Sequence, residues 1–176
     1  MARAVHVIAA ASYLSGSKTE QYQDLAQQAK PSVDGEHDRI ANAANLSSPV
    51  YHSLPDLNWV GFYFFDGTEV VAGPFHGQPA CVRISLDRGA CGAAARSGQT
   101  QRVDDVHAVA DHIACGANTN SELVVPLIRD GNLIGVFDLG GPGRPARFRD
   151  PQRLTRMVFD VRSRRGATSA SFNAGR

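Results

Sequence analysis

The sequence has no long apolar run, no metal-ligand spacing and little net charge. A membrane-spanning helix needs a run of about 18 apolar residues, and the chain has none, so we expect no segment to cross a membrane. No two cysteines have the Cys-x-x-Cys spacing of a zinc site, and the histidines do not complete one, so we expect no metal. A formal net charge of +1 gives no general attraction to nucleic acid or anionic lipid.

Length and composition indicate one folded domain. The chain has 176 residues, of which 43% are hydrophobic and 20% charged, as in globular proteins with a single core. The start, MARAVHVIAAASYL, is too irregular for a signal peptide, because a histidine interrupts its apolar stretch and no cleavage pattern follows. We expect residues 1–18 to be an N-terminal extension, residues 19–160 to form the domain, and residues 161–176 to be a basic, flexible tail.

Two helices are predicted before the first strand. Residues 20–30 are strong helix formers, and Pro31 directly after them is expected to end the helix. Residues 37–54 form the second predicted helix, in which Pro49 is expected to produce a kink or an early end. The apolar residues of that second segment recur at helical intervals and are expected to form one face: Ile40, Ala43, Ala44, Val50 and Leu54.

The middle of the chain predicts strands in two hairpins. NWVGFYFFDGTEVVAGPF indicates two strands around Asp66-Gly67, and SELVVPLIRDGNLIGVFDLGG indicates two more around Asp130-Gly131. Between them, ACVRISL alternates as a half-buried strand, and RGACGAAARSGQTQRV predicts a short helix that ends at residues 97–98. The residues expected on the buried face of that strand are Val82, Ile84 and Leu86. With a terminal helix added, this order predicts an α+β fold with a mixed, mostly antiparallel sheet flanked by helices.

The chain has an odd number of cysteines: Cys81, Cys91 and Cys115. An odd number argues against a simple disulfide framework and favours a reducing compartment, so we expect a cytoplasmic location. Any one of them alone would be interpreted as a small core residue, because cysteine is among the most buried residue types. Cys115 is harder to interpret in that way, because it lies in the polar stretch ADHIACGANTNSE just before the apolar LVVPLI.

Six segments occur in the order and spacing of a known family: NWVGFY, GPFHGQPACVRI, RGACGAAARSGQTQRVDDVHA, HIAC, SELVVPLI and GNLIGVFDL. Over about residues 20–150 the chain resembles the free methionine-(R)-sulfoxide reductases, which are stand-alone GAF domains. The resemblance implies a single GAF-type domain that reduces the R epimer of the sulfoxide of free methionine, not of methionine in proteins. It also implies thioredoxin as the reductant and no bound cofactor.

The resemblance assigns roles to the cysteines. The thiol matching Cys115 attacks the sulfoxide sulfur, and the thiol matching Cys81 resolves the product as a disulfide. The thiol matching Cys91 is an attacking or an auxiliary thiol, and this choice stays open. Thiolates are the required nucleophiles, and a sulfoxide oxygen leaves only when a proton reaches it. Attack leaves a sulfenic acid, which a second thiol converts to a disulfide that an external dithiol can reduce.

Four further residues match family positions that face the substrate. Trp59 and Tyr63 would enclose the S-methyl group, since sulfur packs favourably against aromatic rings. Glu122 and Asp138 would supply the proton for the sulfoxide oxygen and the partner of the substrate ammonium, and which carboxyl does which stays open.

Single residues in this pattern also have simpler interpretations. Trp59 alone would be interpreted as a core residue. Glu122 alone could be a solvent-exposed residue at a strand start. His107 and His112 flank the cysteine loop and could lower the pKa of a thiol, but a histidine at such a position is more often a solvated loop residue.

The chain departs from the family pattern at two positions. Gly140 occupies the place of the second acid of the usual DIDSP segment, and Gly116 follows the loop cysteine where an aspartate is common. A lost charged hydrogen bond to the substrate costs about 1.5–3 kcal/mol, so we expect weaker or altered activity.

Two other function classes remain open from the sequence. One is a GAF domain that binds a small ligand without chemistry, because a fold does not determine a function. The other is a redox-sensing module, which peroxide would oxidise and the sulfoxide would not. A thiol count separates them, since turnover of methionine sulfoxide removes two free thiols and mere binding removes none. The oligomeric state also stays open, a homodimer included.

Overall fold

The computed structural model describes residues 16–108 and 118–143 of the chain. Its helices are α1 (Lys18–Val33), α2 (Arg39–Ser53) and α3 (Gly89–Ser97), and a 3₁₀ turn covers Val106–Ala108. Its strands are β1 (Trp59–Phe65), β2 (Glu69–Gly77), β3 (Arg83–Ser85), β4 (Gln101–Val103), β5 (Ser121–Arg129) and β6 (Asn132–Gly141). The predicted terminal helix and tail, and most of the N-terminal extension, lie outside the described residues. None of the described helices has the length and apolar character that a bilayer crossing needs.

The six described strands form one sheet in the order β3-β2-β1-β6-β5-β4. Each pairing between these strands is antiparallel, so the α+β class is confirmed and the described sheet contains no parallel pair. The long central strands β1, β5 and β6 come from the two predicted hairpins, which are both confirmed. The short strands β3 and β4 lie at the two edges.

The hairpin turns have the conformations that their residues favour. Asp130 and Gly131 both have positive φ, 53° and 76°, as a two-residue turn of the primed type requires. At the other hairpin, the Asp66 side chain accepts hydrogen bonds from the backbone N–H groups of Thr68 and Glu69. The chain thereby reverses within three residues before β2 begins.

The prediction that Pro31 ends the first helix was wrong. Helix α1 starts at a capping box made by Ser17 and Glu20 and continues through Pro31 to Val33. Val33 is buried and extends the face that begins with Tyr22, so tertiary packing outweighs the hydrogen bond that the proline removes.

Helix α2 likewise continues through a proline, Pro49, whose side chain is buried in the protein. Its buried face includes the predicted Ala43 and Val50, whereas Ala44 is exposed and Ile40 is 47% exposed. The prediction for those two residues was therefore wrong, because they lie on the side of the helix that does not contact the sheet.

Strand β3 is shorter and less buried than the sequence predicts. Ile84 is buried, but Val82 precedes the strand and is 67% exposed. An edge strand of three residues has only one neighbour, β2, and does not bury the whole alternating set. Strand β4 and the 3₁₀ turn were not predicted, because three residues are too few to show a periodicity.

The sheet separates two apolar clusters. Helices α1 and α2 pack on one face, where Val60, Phe62 and Phe64 of β1 contribute to the cluster. Helix α3 packs on the other face, which we call the α3 face, with Trp59 and Tyr63 of the same strand. Alternation along a strand sends neighbouring side chains to opposite faces. The α3 face carries the candidate site.

Candidate active site

The strand register brings the predicted substrate residues together on the α3 face. Residues that pair directly in an antiparallel ladder share a face. Trp59 pairs with Gly140, and Gly140 also pairs with Glu122, so these three form one row. Asp138 lies in the next row, and Tyr63 lies in the row after it. One side of the sheet is therefore lined by Trp59, Tyr63, Glu122 and Asp138, which come from three strands.

Two carboxyl groups lie together in this buried setting. Asp138 is 8% exposed, and burial together with the nearby charge of Glu122 raises its pKa well above the ordinary value. Burial also raises the pKa of Glu122, to about 7. The Oδ1 atom of Asp138 has no hydrogen-bond partner within the described ranges. A carboxyl pair of this kind keeps a proton near neutral pH and can give it to a bound molecule.

An aromatic wall lines the site beside the carboxyl pair. The ring of Trp59 stacks on Tyr63 and on Phe75, with ring centroids 5.5 Å apart in both pairs. Trp59 Nε1 is buried and lacks a hydrogen-bond partner in the part of the chain that the structure describes. Burial also raises the pKa of the Tyr63 phenol. Unsatisfied polar atoms in an apolar enclosure are costly, so this site suits a small ligand with both apolar and polar groups.

Phe75 is a member of this wall that the sequence analysis missed. It lies on β2 opposite Gly61, on the same face as Trp59. A Cβ atom at Gly61 would clash with the Phe75 Cβ atom and with the Trp59 ring, so the glycine permits the aromatic stack. The alternation of β2 could have indicated its face, but not its contact with Trp59.

The described cysteines occupy two different environments. Cys91 is the third residue of α3, a free thiol that is 5% exposed, and it hydrogen-bonds Asp138. Burial and the charges of Asp138 and Glu122 raise the pKa of the Cys91 thiol. Cys81 precedes β3, is disulfide-bonded and packs against the cluster that contains Trp59. Cys115 lies outside the described residues, as do His112 and Gly116.

Gly140 is enclosed by two polar side chains that the sequence analysis did not single out. A Cβ atom at Gly140 would lie 3.1 Å from Thr119 Cγ2 and 3.3 Å from Asn58 Oδ1. The Thr119 hydroxyl donates to Asn58 Oδ1 at 3.1 Å, and the Asn58 amide donates to the Asn118 carbonyl at 2.7 Å. Gly140 does not have a left-handed backbone, so its conformation is open to other residues.

His107 is exposed in the middle of the 3₁₀ turn, where a ring nitrogen lies 3.3 Å from Asn120 Oδ1. Among the described residues, no three His, Cys, Asp or Glu side chains form a group that could hold a metal ion. The described site therefore offers proton donation by carboxyls, an aromatic enclosure and, at Cys81, thiol-disulfide chemistry.

A family model described as GAF domain matches residues 52–156. The chain is 46% identical over 123 residues to the free methionine-R-sulfoxide reductase of Escherichia coli strain K12, which covers 70% of this chain and 74% of that protein.

Two solved structures are also similar. One is a free methionine-R-sulfoxide reductase from Neisseria meningitidis in complex with its substrate, at 37% identity, a TM-score of 0.81 and coverage of 88% and 93% of the two chains. The other is a putative GAF sensor protein from Burkholderia vietnamiensis, at 57% identity, a TM-score of 0.77 and coverage of 83% and 93%.

Proposed function

The chain belongs to the free methionine-R-sulfoxide reductase family of GAF domains, and from this premise we propose that it reduces free L-methionine (R)-S-oxide to L-methionine. The observation that carries the proposal is the buried carboxyl pair of Glu122 and Asp138 beside the stacked rings of Trp59 and Tyr63. The pair supplies a proton where a sulfoxide oxygen needs one, and the rings enclose an S-methyl group.

The proposed reaction moves two electrons from two thiols to the sulfoxide. The Cys115 thiolate attacks the sulfoxide sulfur, the oxygen takes up a proton and passes to the cysteine sulfur, and methionine leaves. The Cys115 sulfenic acid then reacts with the Cys81 thiol, so that an S–S bond forms, the S–O bond breaks and water leaves. One sulfoxide is reduced for each disulfide formed.

The carboxyl pair acts as one unit in this scheme. Two strongly interacting carboxyls share their protons, so the pair holds at least one proton near neutral pH. That proton goes to the sulfoxide oxygen, and the charge that remains on the pair holds the substrate ammonium. A methionine residue in a peptide has no free ammonium for this contact, which supports selectivity for the free amino acid.

Recycling requires a second disulfide exchange. The sequence contains three cysteines, Cys91 is free, and Cys81 is disulfide-bonded, which supports Cys115 as its partner. An external dithiol of the thioredoxin type would return both thiols. Such a reductant works in a reducing compartment, so a cytoplasmic location is part of the proposal. The scheme places its residues in one chain, within the domain expected over residues 19–160, and is compatible with a monomer or a homodimer.

The test is an assay of the separated R and S epimers of free methionine sulfoxide with thioredoxin as the reductant. We expect loss of the R epimer only, with methionine as the product. Cys115→Ser is expected to abolish the reaction, and Cys81→Ser is expected to allow one turnover and then stop. Equal steady rates in the unmodified chain and Cys115→Ser would contradict the assignment of the attacking thiol.

A second candidate is a GAF domain that binds a free amino acid without reducing it. The glycine at position 140, where the family pattern has a second acid, favours this alternative. Addition of the sulfoxide to the reduced chain separates the two functions. A reductase loses two free thiols and releases one methionine, whereas a binding domain keeps all three thiols and releases none.

A further inference from the structure

Cys91 lies on helix α3 next to Asp138, and not in an exposed loop. It occupies the first turn of α3, is buried, and belongs to the same apolar cluster as Trp59, Tyr63, Val124 and Val136. Its thiol donates a hydrogen bond to Asp138, whose Oδ1 atom has no partner within residues 16–108 and 118–143. One oxygen of Asp138 thus has no described partner, while the thiol of Cys91 contacts the side chain from the helix.

From this geometry we propose, on the basis of the function proposed above, that Cys91 is a positioning residue that keeps its proton, donates to Asp138 and neither attacks the sulfoxide nor resolves the product. Cys81 is disulfide-bonded while Cys91 is free, so the oxidised pair does not include Cys91. This role answers the question that the sequence left open for the third cysteine.

The surroundings of Cys91 oppose its ionisation. The first turn of a helix by itself lowers the pKa of a thiol. Here burial raises the pKa of Cys91, and the adjacent charges of Asp138 and Glu122 raise it further. A thiol that stays protonated is a poor nucleophile but a stable hydrogen-bond donor.

The hydrogen bond also affects Asp138. Three described groups that can ionise face this carboxyl: Glu122 on β5, Tyr63 on β1 and Cys91 on α3. The negative charge of Glu122 raises the pKa of Asp138, whereas the Cys91 hydrogen bond lowers it. Removal of the thiol is therefore expected to raise the pKa of Asp138 further, and a hydroxyl in its place is expected to restore the donor.

The first test uses the unmodified chain, so it does not depend on the folding of a variant. The fully reduced protein receives methionine (R)-sulfoxide without reductant, is alkylated in denaturant, and is mapped by mass spectrometry of its peptides. We expect Cys91 to be alkylated and Cys81 and Cys115 to be protected. Protection of Cys91 would overturn the inference while leaving the reductase function intact.

The second test compares Cys91→Ser and Cys91→Ala in a single turnover over a range of pH. We expect Cys91→Ser to form one methionine within about threefold of the normal rate, and Cys91→Ala to be slower by about tenfold. In the plot of rate against pH, the high-pH limb should move to higher pH in Cys91→Ala, because the pKa of Asp138 rises in this variant. Val70→Ala, in the same apolar cluster on β2, is the matched control for a packing defect and should leave the profile unmoved.

Three results of the second test would overturn the inference. They are no methionine from Cys91→Ser, no change of rate or profile in Cys91→Ala, or the same shift in Val70→Ala. If the unmodified chain forms no methionine, the proposed function fails and a titration of the Asp138 carboxyl by carbon-13 NMR decides the inference. The titration should move to higher pH in Cys91→Ala but not in Cys91→Ser, and an unchanged titration in Cys91→Ala would overturn the inference.

Discussion

The two faces of the sheet are built by the same strands but differ in composition. Toward α1 and α2, the central strands present mostly apolar side chains, including Phe62, Leu123, Val125, Phe137 and Leu139. Toward α3, the same strands present two carboxyls, the glycines Gly61 and Gly140, and an aromatic wall. A buried carboxyl lowers the stability of a fold unless a partner compensates for its lost hydration. The face toward α1 and α2 therefore stabilises the fold. The α3 face lowers the stability of the fold, and a bound ligand can offset this loss.

Exchange of one residue on each face gives the largest expected effects. Asp138→Asn should lower kcat/KM for the sulfoxide by about 10²–10⁴-fold, because it removes an acid, while the free energy of unfolding stays equal or rises. Phe137→Ala, the adjacent residue on the opposite face, should lower the free energy of unfolding by about 3–5 kcal/mol and keep most of the activity of the folded fraction. Steady-state kinetics and urea unfolding of both variants test this. A large loss of stability in Asp138→Asn would contradict the assignment of the α3 face.

The stability cost of the carboxyls should depend on pH. Burial raises the pKa of Glu122 from 4.5 to about 7, and that of Asp138 is also raised. A carboxyl whose pKa is raised in the folded state contributes to the free energy of unfolding. This contribution is fully present below the ordinary pKa and is lost as the pH rises through the folded-state pKa. We therefore expect a Tm that is higher at pH 5 than at pH 8, by about 5 °C. Scanning calorimetry should show a smaller difference in Glu122→Gln, and an equal difference there would contradict this origin.

Gly140 allows the missing acid to be restored. Gly140→Asp should raise kcat/KM by about tenfold, because one charge-assisted hydrogen bond contributes about 1.5–3 kcal/mol. Its backbone permits the change, but the new Cβ would lie 3.1 Å from Thr119, so we expect the gain to be clearer with Thr119→Ala added. Gly61→Ala is the control, since its Cβ would clash with the aromatic wall and should lower the Tm. An unchanged Tm with no gain in efficiency would mean that the absent acid does not limit this protein.

The smallest effects are expected where neither face is involved. Val82 and Ile40 are large apolar residues that are exposed at the surface. Val82→Thr and Ile40→Gln should change the free energy of unfolding by less than about 0.5 kcal/mol and leave kinetics unchanged. Urea unfolding checks this, and a loss above 1 kcal/mol would show that these residues have packing partners that the described structure does not contain.

The sequence predicted those parts of the fold that depend on local backbone chemistry. The turn at Asp130 and Gly131 and the left-handed cap of α3 at Gly98 follow from residues that tolerate positive φ, and both are confirmed. Predictions from single residues failed where burial decided the outcome. Pro31 does not end α1, because the helix face that buries Val33 continues past it.

The site residues were predicted through the resemblance to a family, and not from periodicity. Alternation alone places Asp138 and Trp59 on strands but does not say that their strands are neighbours. The contact between Phe75 and Trp59, and the Asn58 and Thr119 pair over Gly140, join residues from different elements and have no local signal. Phe75, Asn58 and Thr119 could therefore not be predicted from local patterns.

The sequence by itself determined the long strands of the two hairpins, the hairpin turns and the presence of three cysteines, because these depend on side-chain type and on spacing of a few residues. Only the tertiary structure decided which face each strand turns toward α3, and which polar groups lie out of water there. The raised pKa values of Glu122, Asp138 and Cys91 arise from burial, and those of Asp138 and Cys91 also from neighbours that are distant in the sequence. Burial of a side chain depends on the packed fold, so a local sequence pattern does not predict these pKa values.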